Sequence, residues 1–237
     1  MRRAQGSGKA GDQILLVDAD DTLWENNIYF EEVFEDFVRV LRRPELTPPE
    51  IRAVLDEIEL ANRAIQGYGA VSFARNLREC CERIQGRPPD PEEERFIRRA
   101  TERLLNHPIE LRPGVAETLP YLAARHTLIL FTKGHPDEQQ SKVERSGLGR
   151  YFDRTAVVRE KDAPTYRRMV SELALDPARV WMVGNSPKSD VNPALEAGLR
   201  AIYIPHPRTW SLEQEPIRDG RGRLLVLASF ADLRRYF

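Results

Sequence analysis

The sequence is short of cysteine, short of lysine and without any long apolar run. Its two cysteines, Cys80 and Cys81, are adjacent in a chain of 237 residues. Neighbouring cysteines seldom pair with each other, and a secreted disulfide framework needs more of them, so a reducing, cytoplasmic setting is expected. Their spacing is also too tight for a zinc site built on C-x-x-C. No apolar stretch approaches the length of a membrane span, so no membrane partner is expected. The formal net charge is −1, which excludes the basic bias of a protein that binds a nucleic-acid polymer. Residues 1–12 are basic and Gly-rich and lack the apolar segment of a secretory signal; they are expected to form a disordered lead.

Lysine is scarce in a particular way. The chain has five, Lys9, Lys133, Lys142, Lys161 and Lys188, against 31 arginines. A lysine retained in such a chain suits a task that needs a compact ammonium rather than a planar guanidinium. Lys133, Lys161 and Lys188 fall near predicted strand ends.

What is present begins with Ile14–Val17, an apolar run that reads as a buried strand of a parallel sheet. It leads directly into Asp18, Asp20 and Asp21. Carboxylates crowded at the carboxyl end of such a strand lie where ligands bind in open α/β sheets. They repel one another unless a cation sits among them.

After Trp24 the strand pattern stops. Apolar residues at helical spacing mark helices over 28–43, from Pro48 past Ile65, around Phe73–Ile84 and from Pro91 to Leu105. Thr47-Pro48-Pro49-Glu50 and Asp90-Pro91-Glu92-Glu93 read as helix N-termini with a cap and an early Pro. The segment 25–110 holds 13 arginines, no lysine and 18 acidic residues. Strands then alternate with helices: Leu128–Phe131, Thr155–Val158, Val180–Val183, Ala201–Ile204 and an edge strand at Leu224–Leu227. Ser189 or Asp190 is expected to cap the helix that ends at Gly198. Such alternation predicts a Rossmann-like parallel α/β sheet of about five to six strands. The first strand precedes the helical stretch and its partners follow it. The expected division is therefore a core of 13–24 and 111–237 with an inserted four-helix cap, 25–110.

Polar signatures stand at four strand ends: Asp18, Asp20 and Thr22; Thr132; Lys161; Asn185 with Asp190. Each alone has an ordinary explanation as a turn or surface residue. On successive parallel strands they would all face one crevice. Their order resembles the haloacid dehalogenase-like superfamily. Asp18-Ala19-Asp20-Asp21-Thr22 is similar to its first motif and Phe131-Thr132-Lys133-Gly134 to its second. Lys161, ahead of Pro164 and Tyr166, is similar to the third, and Gly184-Asn185-Ser186-Pro187-Lys188-Ser189-Asp190 to the fourth. The helical insert is similar to the family's type 1 cap.

The resemblance implies an Asp-based phosphatase acting on a small phosphorylated metabolite. It implies Asp18 as nucleophile, Asp20 as general acid and base, and Thr132, Lys133, Gly134 and Lys161 around the phosphate. It further implies Mg²⁺ held by Asp18, Asp20 (through its carbonyl), Asp190 and Asn185. The elementary chemistry agrees: a carboxylate approaches a phosphate dianion only when their charge is offset. Asp20 argues against dehalogenation, since dehalogenases of this kind lack the second acidic residue of the first motif. The predicted cap contains no lysine for the Schiff base of phosphonate hydrolysis. Two positions depart from the family pattern. Asn185 stands where Asp is usual, which removes a charge and predicts weaker Mg²⁺ binding. Lys133 stands where Asn is common, which adds positive charge near the phosphate. A phosphomutase or phosphotransferase, or an attenuated binding protein on the same scaffold, are the competing expectations. Asn26, Asn27, Tyr29, Arg63, Tyr68 and Arg75 are the cap residues expected to select the substrate, and Asp21 is expected to be a turn or capping residue.

Overall fold

The computed structural model describes residues 13–218 and 220–237; the lead expected over 1–12 lies outside the described residues. Six parallel strands form one sheet: β1 Ile14–Val17, β2 Thr127–Lys133, β3 Arg154–Val158, β4 Val180–Gly184, β5 Arg200–Tyr203 and β6 Leu224–Val226. Their spatial order is β3-β2-β1-β4-β5-β6. β1 is therefore central, which is why its four residues carry no polar side chain: both faces are covered. Leu15 and Val17 pack on one side with Leu119, Leu128 and Phe230. Leu16 packs on the other with Phe131, Tyr166 and Met182.

Between β1 and β2 the chain makes α1 Asn27–Leu41, α2 Pro48–Gln66, α3 Ala70–Gln85 and α4 Pro91–Leu105, then α5 Val115–Ala123. Helices α1 to α4 enclose an apolar cluster of their own, with Phe37, Leu55, Ile58, Leu77 and Ile97 fully buried. Cys80 and Cys81 are free and buried in it. Burial pushes both thiols up to about 12, so they are packing residues. Ile65, read from the pattern as part of the buried face of α2, is exposed, because the last turn of the helix runs beyond that cluster.

The helix starts follow the sequence signals. Thr47 N–H donates to Glu50 Oε2 at 2.7 Å in a capping box ahead of α2. Asp90 accepts from the N–H groups of Glu92 and Glu93 at 2.8 and 3.0 Å, while Glu93 accepts from Asp90 N–H at 2.7 Å. The remaining helices are α6 Pro136–Ser146, α7 Ala163–Glu172 and α8 Asn192–Glu196. One expected cap is different. Ser186, not Ser189 or Asp190, caps the segment after β4, its hydroxyl accepting from Ser189 N–H at 2.9 Å. A wide π-helical turn over Pro187–Val191 follows, and α8 is short. That turn aims Asp190 inward, with its Oδ2 accepting from the backbone N–H of the cap residue Ser186.

The two chain crossings between sheet and helices run side by side. Glu25 N–H donates to Glu110 carbonyl and Arg112 N–H to Leu23 carbonyl, each at 2.9 Å. We take this crossing as the proposed boundary between core and cap.

Candidate active site

The site is built on the end of β1. Asp18 N–H donates to Val183 carbonyl on β4 at 2.9 Å, which fixes the backbone where the two strands separate. The carboxylate of Asp18 is buried. Its Oδ1 accepts from Lys161 Nζ at 2.5 Å and its Oδ2 from Thr22 Oγ1 at 3.0 Å. Lys161 Nζ also donates to Asp190 Oδ1 at 2.8 Å. Asp190 Oδ2 accepts from Ser186 N–H at 3.0 Å. The close approach of Asp190 to β4 requires Gly184, where a Cβ would lie 2.1 Å from Asp190 Oδ2.

Two buried carboxylates thus share one buried ammonium. Burial pushes Asp18 up to about 7, against the pull of Lys161 and with the help of Asp190. Burial disfavours the charge of Lys161 too, but Asp18 and Asp190 outweigh it and hold the ammonium above its ordinary range. The site is short of positive charge by one.

Asp20 faces elsewhere. Lys142 Nζ, on α6, lies 2.6 and 2.7 Å from its two oxygens. Gln139 Nε2 donates to it at 2.9 Å and Trp24 Nε1 at 2.8 Å. Burial works against ionisation, yet Lys142, with the Gln139 and Trp24 donors, holds Asp20 below the usual carboxylate range. Gln139 is seated by Gly134, whose φ of 151° and missing Cβ leave room for the amide. Asp21 adopts a left-handed φ of 61°, and its Oδ1 accepts from Asn26 and Asn27 N–H at 2.9 and 3.0 Å. It tethers the start of α1, the structural role expected of it. Burial raises its pKa to about 7.

Asp18, Asp20, Thr132, Lys133, Gly134, Lys161, Asn185 and Asp190 all line one cavity of about 180 Å³. Asn185 Oδ1 accepts from Thr22 Oγ1 at 3.2 Å and its Nδ2 donates to Thr209 Oγ1 at 3.4 Å. One expectation is corrected. Lys133 brings no free charge to the crevice: its Nζ donates to Glu213 Oε1 at 2.5 Å and Ser189 Oγ at 2.8 Å. Glu213, on the loop after β5, neutralises it. Burial disfavours the Lys133 charge, but Glu213 and Tyr68 raise its pKa above the ordinary lysine value.

Of the expected selectors, Asn26, Asn27, Arg63 and Tyr68 line the cavity. Tyr29 and Arg75 do not. Tyr29 is buried with its ring stacked on His107, centroids 4.4 Å apart. Arg75 is exposed along a separate groove with Arg78 and Glu94, because its neighbour Asn76 takes the inward position on α3. The pattern did not single out Gln139, Lys142, Glu213, Glu59 or Trp210, which also line the cavity. Lysine scarcity was the one available signal for Lys142, and it sits mid-helix rather than at a strand end.

Asp21, Glu25 and His206 are also close enough together to suggest a metal cluster. Their atoms are already engaged: His206 Nε2 lies 3.0 Å from Glu25 Oε2, and Glu25 Oε1 pairs with Arg112 at 2.5 Å. They brace the crossing between sheet and helices.

Comparison with known proteins agrees with this geometry. Residues 13–198 match the model of the haloacid dehalogenase-like hydrolases. Phosphoserine phosphatase of Thermus thermophilus is 30% identical over 142 residues, 57% of this chain and 49% of that protein. Enolase-phosphatase E1 of Chaetomium globosum is 28% identical over 124 residues, 51% of this chain and 48% of that protein. The matches thus span about half the length of these curated relatives. The crystal structure of a haloacid dehalogenase-like family hydrolase from Xanthomonas campestris superposes with a TM-score of 0.83 at 32% identity, covering 98% of this chain and 93% of the other.

Proposed function

Because the chain belongs to the haloacid dehalogenase-like hydrolase family, we propose that it is a Mg²⁺-dependent phosphatase that hydrolyses a small phosphate monoester through an aspartyl phosphate on Asp18. The observation that carries this reading is the sharing of Lys161 by Asp18 and Asp190 in a buried crevice. A buried carboxylate pair with one ammonium calls for a further cation.

The donor set fits Mg²⁺. The carboxylates of Asp18 and Asp190, the amide oxygen of Asn185 and the carbonyl of Asp20 are all hard oxygen ligands. These residues would hold the ion, which when bound would offset the charge between carboxylate and phosphate and orient both. Lys161 supports the same work from the other side of Asp18, and Thr132 offers its hydroxyl to a phosphate oxygen.

The chain's own residues would then act in two halves. Asp18 forms a bond to phosphorus as the bond to the leaving oxygen breaks, and Asp20 gives that oxygen its proton. Asp20 next takes a proton from water, which attacks phosphorus, releases inorganic phosphate and frees Asp18. The ionised state that Lys142 enforces suits the second half. A phosphate dianion entering the cavity raises the pKa of Asp20 and favours the protonated form needed for the first. The two adjacent, free, buried cysteines support a reducing compartment. No helix among the described residues is long and apolar enough to cross a membrane.

A panel of phosphorylated metabolites with p-nitrophenyl phosphate, run with Mg²⁺ and with chelator, tests the reading. Metal-dependent phosphate release supports it. Turnover only with a sugar acceptor would show a phosphotransferase, and no release from any substrate would show a binding protein.

A further inference from the structure

Helix α2 turns a polar face inward. Arg52, Glu59 and Arg63 lie along one side of it and line the cavity that holds Asp18, beside the apolar stripe of Ile51, Leu55 and Ile58 that packs into the cap cluster. A helix places charged residues toward a cavity only where something there repays their desolvation.

Glu59 stands out on that face. The residue is 7% exposed, and its Oε2 is buried with no hydrogen-bond partner. Asp56 Oδ1 and Gln66 Oε1, on the same helix, are likewise buried oxygens without a partner. The shortage on this helix is one of donors: each unsatisfied atom is an acceptor. Of the charged groups around Glu59, Arg63 lies one turn further along the helix and lines the same cavity. Arg52 is paired with Glu31 at 2.6 Å, and Asp56 Oδ2 accepts from Ser211 Oγ at 3.1 Å. From the core side, Trp210 supplies an indole N–H to Glu59. Burial raises the pKa of Glu59 to about 8, with Arg52 pulling down and Asp56 and Glu31 pushing up. A buried carboxyl oxygen left without a partner in a cavity is costly unless a ligand completes it. Trp210, which also lines the cavity, adds a ring system that favours a cation, while the Tyr68 ring is already covered by Lys133 Nζ, 4.4 Å from its centroid.

We propose that Glu59 is a specificity-determining residue that receives a primary ammonium on the leaving group, so that the substrates are phosphate monoesters of small amino alcohols. The inference rests on the phosphatase reading, which places phosphate at Asp18 and the leaving group toward the cap. An ammonium brings up to three N–H donors to the Glu59 oxygen that lacks one, and its charge makes that hydrogen bond to the carboxyl a charge-assisted one. A neutral hydroxyl brings a donor without the charge.

The test is a comparison of kcat/KM for O-phosphoethanolamine, 2-hydroxyethyl phosphate and propyl phosphate, in the wild type and in Glu59→Gln. A charged hydrogen bond of this kind predicts a preference of about 10-fold or more for the amine over both neutral esters. Glu59→Gln is expected to collapse that ratio toward unity; as a ratio within one protein, it is insensitive to a general loss of folded enzyme. If p-nitrophenyl phosphate is turned over but the amine is not preferred, or the preference survives in Glu59→Gln, the inference falls and the phosphatase reading stands. If no ester is turned over, the phosphatase reading falls, and calorimetric titration with the same three compounds decides the inference. Tighter binding of the amine that is lost in Glu59→Gln upholds it, and equal binding overturns it.

Discussion

Lys142 Nζ grips both carboxylate oxygens of Asp20, at 2.6 and 2.7 Å, from the middle of α6. The pair joins a residue of the first strand end to a helix more than a hundred positions later, and it fixes which way Asp20 faces. Its carboxylate is held by Lys142, Gln139 and Trp24 rather than by Lys161, and in the proposed phosphatase its backbone carbonyl would be the atom offered to the metal.

The first prediction follows from that pair. Lys142→Met removes the charge and leaves Asp20 with only the Gln139 and Trp24 donors. Its pKa then rises, since the charge that held it down is gone. The expected result is a fall in kcat of about 10-fold or more with a smaller change in KM, and an acid limb of the pH–rate profile displaced to higher pH. Steady-state kinetics across pH 5–9 check this. Unchanged kcat would remove Lys142 from any role in catalysis.

Asp18→Asn separates activity from stability. Turnover is expected to fall by about 10³-fold or more, since no nucleophile remains. The melting temperature is expected to hold or rise at pH 8. The sign follows from the raised pKa of about 7: a carboxyl held above its unfolded value costs stability once pH exceeds the folded pKa, and the amide escapes that cost. Thermal melts beside activity assays decide it, and comparable activity in the variant would sink the mechanism.

Asn185→Asp adds a charge at the position expected to depart from the family pattern. Asn185 lies against Thr22, whose hydroxyl also donates to Asp18. A carboxylate there is expected to lower the Mg²⁺ concentration for half-maximal activity. In chelator it is expected to lower the melting temperature, because more negative charge then surrounds the single ammonium of Lys161. An unchanged Mg²⁺ titration would exclude position 185 from the metal site.

Glu93 makes the proposed cap sensitive to acid. Its carboxylate is buried, which works against ionisation, yet Arg87, the Asp90 N–H and Gln85 lower its pKa to about 2. A depressed carboxylate contributes stability that is complete above its unfolded pKa and is lost as pH falls through the folded value. The contribution is on the order of 2 kcal/mol, reduced because Arg87 is partly exposed. Glu93→Gln should therefore lower the melting temperature at pH 6–7 and differ little from wild type near pH 2. A constant difference across that range would show that packing alone, and no charge, is at stake.

The sequence by itself determined the strand–helix alternation and the four polar strand ends. Short-range rules suffice for these: an apolar run of four buries a strand, and Thr47 and Asp90 cap helices three residues before a Glu. Four signatures on successive parallel strands then had to meet at one edge of the sheet, as Asp18, Thr132, Lys161 and Asp190 do. What only the tertiary structure decided was the pairing of charges across long separations. Lys133 could be read as a free cation from its own segment, but Glu213 cancels it from a loop 80 positions away. Lys142 and Gln139 carry no motif, yet they orient Asp20 because α6 packs beside β1's end. The inward turn of Glu59 was equally hidden, since a helix's polar face looks the same in sequence whether it meets solvent or an active-site cavity. Local pattern fixes which face of an element is polar, and only packing fixes what that face is opposite.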